Sequence, residues 1–168
     1  MELTTKEKDL LKDLRDQEKL CIMKYEKYAS CAGSQELQTL FNSMAKVERE
    51  HHKTIVQMMD GKVDQAPSSI SNSSDCSCGC CSYSDEESRK NDAFMCSDML
   101  ATEKHVSALY DTCVFEFTNP EARKMLNHIQ AEEQQHGQQQ CSKFCTHHSS
   151  STGLPSLAVS VTAAGWLP

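Results

Sequence analysis

The chain falls into four stretches in which apolar residues recur every three to four positions, separated by breaks rich in turn and capping residues. Thr4 with Glu7 is a capping-box start, and the pattern that follows predicts a first helix over 4–32. Gly33 and Ser34 interrupt it. Ser34 caps a second helix over 34–60, with Gly61 as its stop. Residues 62–83 lose all periodicity; they are Ser-rich, carry Pro67 and contain Cys76, Cys78, Cys80 and Cys81. Ser84 with Glu87 is a second capping box and opens a third helix over 84–117. Asn119 and Pro120, a cap and a first-turn proline, start a fourth helix over 120–144. Short, long and short connections predict two helical hairpins joined by a long crossover linker. The expected fold is all-α, an antiparallel four-helix bundle of the ferritin-like arrangement over residues 1–145, without strands. From Phe144 onward no Lys, Arg, Asp or Glu occurs, so residues 146–168, and above all 149–168, are expected to form a disordered tail.

Composition narrows this picture. A length of 168 residues allows one ordinary domain plus tails, and a hydrophobic share of 38% suffices for a bundle with polar outer faces. A net charge of −7 without a basic stripe makes nucleic acid and anionic membrane surfaces poor partners. No run of about 18 apolar residues exists to span a membrane, and Met1–Asp9 is too charged to read as a signal peptide.

The candidate chemistry is a set of six residues in two copies of three. Glu18, Glu48 and His51 recur as Glu103, Glu133 and His136, each 85 positions later. Steps of three, four, seven and eleven from Glu18 reach Leu11, Leu14, Cys21, Ile22, Tyr25 and Ala29. The same steps from Glu48 reach Phe41, Met44, Ala45, His51 and Ile55. From Glu103 they reach Cys96, Met99, Leu100, Val106, Tyr110 and Val114, and from Glu133 they reach Leu126, Ile129 and His136. Each glutamate thus sits inside an apolar stripe, where an unpaired carboxylate is costly. Their heights agree as well. Glu18 and Glu48 flank Gly33 at 15 residues, and Glu103 and Glu133 flank Thr118 at 15 residues. All four are then expected roughly 22 Å from their turns at about 1.5 Å per residue. This arithmetic leaves the relative direction of the two hairpins open.

Four glutamates and two histidines, each half ending in Glu-x-x-His, make the ligand set of a two-metal carboxylate centre in a bundle core. Two divalent ions balance four carboxylates, and oxygen plus imidazole donors suit iron or manganese, with zinc as an adventitious occupant. Surface glutamates and histidines remain the bland alternative for either Glu-x-x-His alone. Glu132, four residues before His136, is a competitor for Glu133, but it aligns with Val47 in the repeat. His52 lies at the flank of the ligand face, and His105 and His128 are expected to be solvated. Tyr25 and Tyr110 occupy equivalent repeat positions and serve either core packing or a sharper role, in which a hydroxyl reaches a ligand carboxylate or carries an electron hole from the metals.

Ten cysteines without a secretion signal do not read as an extracellular disulfide framework. The tract Cys76–Cys81 is too crowded for paired C-x-x-C zinc spacing. It suits soft-metal binding or intermolecular cross-links, or is incidental to a variable linker. Cys141 and Cys145, ahead of His147 and His148, offer at most a weak metal site or a cross-link. Cys21, Cys96 and Cys113 fall on or near the core stripe and act as small apolar residues.

With these residues in place, the chain resembles the ferritin-like superfamily and, within it, the spore coat proteins of the coat F type. The segments QEKLCIMKYEKYA, ELQTLFNSMAKVEREHHKTI and ATEKHVSALYDTCVFEFTNPEARKMLNHIQAEEQQHG, in this order, carry the resemblance over about residues 5–140. It implies a spore coat protein made in the mother-cell cytoplasm, with other coat proteins or further copies of itself as partners. It also implies a di-metal set at Glu18, Glu48, His51, Glu103, Glu133 and His136. The alternative is a di-iron or di-manganese oxidoreductase acting as peroxidase, catalase-like enzyme or ferroxidase. Related rubrerythrins keep an additional carboxylate one turn along the third helix, where this chain has Leu100 and Val106, and they carry a rubredoxin domain that is absent here.

Overall fold

A computed structural model describes residues 1–69, 83 and 85–146, with side chains placed as far as Gln140. Four helices result: α1 (Thr5–Cys31), α2 (Gln35–Met59), α3 (Glu86–Glu116) and α4 (Pro120–Thr146), with no strand among the described residues. Most of the 62–83 connection, the Cys76–Cys81 tract, the side chains of Cys141 and Cys145, and the tail from residue 147 lie outside the described residues.

The helix ends follow their capping chemistry. Thr4 and Glu7 form the reciprocal box: the Thr4 hydroxyl accepts from the Glu7 N–H at 3.2 Å, and Glu7 accepts from the Thr4 N–H at 2.8 Å. The Ser34 hydroxyl accepts from Leu37 N at 3.1 Å. At the end of α2, Gly61 adopts φ 75°, and Gly61 N and Lys62 N donate to Met58 O and Gln57 O. That is the Schellman closure, which a side chain with a Cβ would strain. Asp85, one residue later than the sequence predicts, caps α3 and accepts from Ser88 N at 2.7 Å. A charged carboxylate is a strong acceptor for the orphan N–H groups of the first turn. Asn119 accepts from Glu121 N and Ala122 N at 3.0 and 2.9 Å, ahead of Pro120 in the first turn.

Helix α1 packs along α2, and α3 along α4; lesser seams join α1 to α3 and α2 to α4. The apolar stripes close a common core that includes Leu11, Leu14, Tyr25, Phe41, Ile55, Met99, Tyr110 and Leu126, all fully buried. Cys21, Cys96 and Cys113 are buried in it.

Two buried carboxylates set the relative direction of the hairpins. Asp92, near the start of α3, accepts from Gly33 N at 2.7 Å and Ser34 N at 3.0 Å in the α1–α2 turn. Glu7, near the start of α1, accepts from Thr118 N at 3.1 Å in the α3–α4 turn. Positions 7 and 92, like 33 and 118, stand 85 apart, so the two clasps are repeat equivalents. Each ties the head of one hairpin to the turn of the other, and α1 and α3 pass in opposite directions. Burial pushes the Glu7 carboxyl up, but donors from Thr4 and Thr118 outweigh it and hold the group low. At Gly33 an added Cβ would stand 3.0 Å from the Ser88 Cβ, so a side chain there would force the turn or Ser88 to give by a few tenths of an ångström.

Candidate metal centre

The six residues singled out by the repeat meet in the middle of the bundle. Glu18, Glu48, His51, Glu103, Glu133 and His136 are all buried. Their ligand atoms form two groups, Glu18/Glu48/His51/Glu133 and Glu48/Glu103/Glu133/His136, and within each group the atoms lie within 4.8 Å of one another. Glu48 and Glu133 belong to both groups. Glu18 with His51, and Glu103 with His136, belong to one each.

Both histidines aim Nδ1 inward. His51 Nδ1 stands 2.9 Å from Glu133 Oε1, 3.4 Å from Glu48 Oε2 and 3.7 Å from Glu18 Oε2. His136 Nδ1 stands 2.8 Å from Glu48 Oε1 and 3.8 Å from both Glu103 Oε2 and Glu133 Oε2. The rings stack at 5.9 Å. Close as these atoms are, they lack the angles of hydrogen bonds. Glu18 Oε2, Glu103 Oε2, both oxygens of Glu48 and of Glu133, and both Nδ1 atoms are buried without a hydrogen-bond partner. Native proteins leave only a few such groups orphaned, and each one calls for an explanation. Eight at one point fit a centre whose inward atoms have another use, and oxygen plus imidazole donors could hold divalent cations.

Protons substitute for that positive charge in the chain by itself. Burial pushes Glu18 well above the usual carboxylate range, with Glu133 adding repulsion. Burial likewise pushes Glu103 up to about 8, again with Glu133 beside it. At Glu48 burial acts in the same sense, but His136 and His51 outweigh it and hold the group at about 2. Burial and Glu48 push Glu133 upward, and Glu103, His136 and His51 overcome them. Burial disfavours charge on His51 and His136, yet the carboxylates around them raise both well above the ordinary imidazole value. The shared glutamates are thus biased toward the ionised form and the two imidazoles toward the charged form, while the unshared glutamates are biased toward the protonated form.

The unshared glutamates are oriented from the opposite repeat. The Tyr25 hydroxyl donates to Glu103 Oε1, and the Tyr110 hydroxyl to Glu18 Oε1. Burial and these carboxylates raise both phenols well above their ordinary value, so both remain protonated donors. Of the two readings the sequence left open for these tyrosines, the contact to a carboxylate is present, within the core packing.

Three features escaped the sequence reading. Glu132, set aside because it breaks the repeat, accepts or shares a proton at His51 Nε2, 2.9 Å away on the ring's outer side. His128, expected to be solvated, is half-buried with Nε2 at 3.5 Å from Glu132, because one helical turn stacks it on that carboxylate. Gln140, fully buried, donates to the Tyr25 hydroxyl. It lies in a glutamine run whose period gives no hint of a core position. His105 is exposed, as the helical phase predicts, whereas His52, for which an exposed side chain is the simpler expectation, is half-buried at the flank. Gly137, next to His136, lets Leu100 approach: a Cβ there would stand 3.3 Å from its Cδ1.

No helix among the described residues is long and apolar enough to cross a membrane. Neither the curated proteins nor the solved structures contain a match to this chain. Residues 91–146, nearly all of the second hairpin and including Glu103, Glu133 and His136, match the family model described as Coat F domain.

Proposed function

We propose that this chain is a spore coat protein of the coat F type, whose ferritin-like bundle holds two divalent metal ions, iron or manganese, at a carboxylate-bridged centre. Glu18 and His51 would serve one ion, Glu103 and His136 the other, and Glu48 and Glu133 both. The observation that carries this reading is the overlap of the two buried groups at Glu48 and Glu133. Four carboxylates facing two divalent ions leave the core electrically neutral, whereas the protein without ions must protonate part of the set. Its partners are other coat proteins or further copies of itself, and the Coat F domain motivates that assignment.

A redox-active pair of such ions supplies two-electron chemistry toward oxygen or peroxide when bound. Tyr25 and Tyr110 fix the unshared glutamates for it and exclude water. The positions where related peroxidases add a carboxylate hold Leu100, half-buried, and Val106, fully buried. This favours a structural or accessory metal over rapid peroxide reduction. Metal analysis of protein purified without chelator or nickel resin should return two ions per chain. A metal-free protein that takes up none on titration would overturn the reading. Peroxide turnover by the loaded protein would move the assignment to an oxidoreductase of the coat. Metal that raises Tm without turnover would leave it structural.

A further inference from the structure

The two proposed metal positions are related by an 85-residue repeat, but their surroundings are not. The His51 ring is held on both sides, with Nδ1 toward the cluster and Nε2 at 2.9 Å from Glu132 Oε2. Glu132 takes no place in either group of ligand atoms, and it is itself steadied by His128 at 3.5 Å. Among the described residues, no carboxylate lies at His136 Nε2, and the repeat partner of Glu132 is the half-buried Val47. A second departure falls at the other position. Tyr25, which donates to Glu103, receives a hydrogen bond from Gln140, whose repeat partner is the apolar Ile55. Tyr110, which donates to Glu18, has no counterpart of that amide at position 55.

A carboxylate on the outer nitrogen of a metal-binding histidine fixes its tautomer and ring angle and raises its basicity. An amide feeding a tyrosine hydroxyl strengthens that hydroxyl as a donor and draws electron density from the carboxylate it holds. The first effect strengthens the Glu18/His51 position, and the second weakens the Glu103/His136 position. Building on the dinuclear reading above, we infer that the two positions have unequal affinity: the Glu18/His51 position fills first, with Glu132 as its positioning residue.

The test is a titration of chelator-stripped, full-length protein with Co²⁺, whose visible absorption reports each binding step, in competition with a chromophoric chelator. Wild-type protein should bind two ions in steps about tenfold or more apart. Glu132→Gln should weaken the first step by about 10- to 100-fold and leave the second unchanged, closing the gap. Val47→Glu, which supplies the missing carboxylate from the other repeat, should strengthen the second step and narrow the gap from the opposite side. Circular dichroism checks that each variant retains its helices. Two equal steps in the wild type, or equal losses in both steps for Glu132→Gln in folded protein, would overturn the inference while leaving the dinuclear reading intact. Failure of the wild type to bind any Co²⁺ would overturn both.

Discussion

At His51 the ring nitrogen facing away from the cluster meets Glu132, while at His136 the repeat offers Val47 in the same place. At Tyr110 the neighbouring repeat position is Ile55, while at Tyr25 it is Gln140. Inside the centre the halves match residue for residue, and one layer out they diverge. The inward atoms are constrained by charge balance and by the need for each to meet the others. The outer contacts face no such constraint, so one half acquires a carboxylate and the other an amide. A duplicated site keeps its donors and loses its symmetry from the outside in.

The sharpest way to probe this comparison is to set shared glutamates against unshared ones. Glu48→Ala or Glu133→Ala should remove the binding of both ions, whereas Glu18→Ala or Glu103→Ala should cost one; the metal-to-protein ratio after dialysis reads the difference. Next in size are the two clasps. Asp92→Ala leaves the N–H groups of Gly33 and Ser34 without partners and should cost roughly 2–4 kcal/mol. Glu7→Ala, whose partner Thr118 is exposed and can turn to water, should cost about 1–2 kcal/mol. Urea denaturation of the metal-free protein measures both.

The tyrosines come third. Tyr25→Phe orphans a Glu103 oxygen and the Gln140 amide together, whereas Tyr110→Phe orphans only Glu18. The first should cost about 1 kcal/mol more than the second in the same assay. Smallest is the pH dependence of the metal-free protein. Glu103 rises to about 8 on folding, so its contribution is complete below about 4.5 and fades as pH rises through 8. His51 and His136 are raised too, so theirs is complete below about 6.5 and fades in the same direction. Glu48 falls to about 2, so its contribution holds above about 4.5 and is lost toward pH 2. Tm of the metal-free protein should fall between about pH 5 and pH 8. Metal should raise Tm more at pH 8 than at pH 5, because ions compete with protons for the same atoms. Calorimetry at the two values with and without a chelator checks this.

The repeat explains what could be read beforehand. Glu18, Glu48, Glu103 and Glu133 were findable because each interrupts an apolar stripe at equal distance from a turn, and a buried carboxylate there needs a partner. The helix starts at Thr4, Ser34 and Asn119 were legible from local capping chemistry, while the third helix is capped by Asp85, one residue past the expected position. Glu132, set aside as a ligand in favour of Glu133, takes no place in either group, but the symmetry that set it aside also hid its contact to the outer nitrogen of His51. Glu7 and Asp92 obey the same 85-residue spacing but were passed over, because a carboxylate near a helix start already has an adequate local role as a cap. Their contacts are with the turn of the other hairpin, and no local pattern announces a partner 111 residues away.

Those clasps have a consequence for the whole chain. Position 7 meets 118 and position 92 meets 33, which is the reciprocal pattern of an isologous twofold interface, here between two parts of one polypeptide. Such an interface orients its members by itself and asks nothing of the peptide that tethers them beyond sufficient reach. Among the described residues, the register of the glutamates is thus held from both ends of the bundle, at 7–118 and at 33–92.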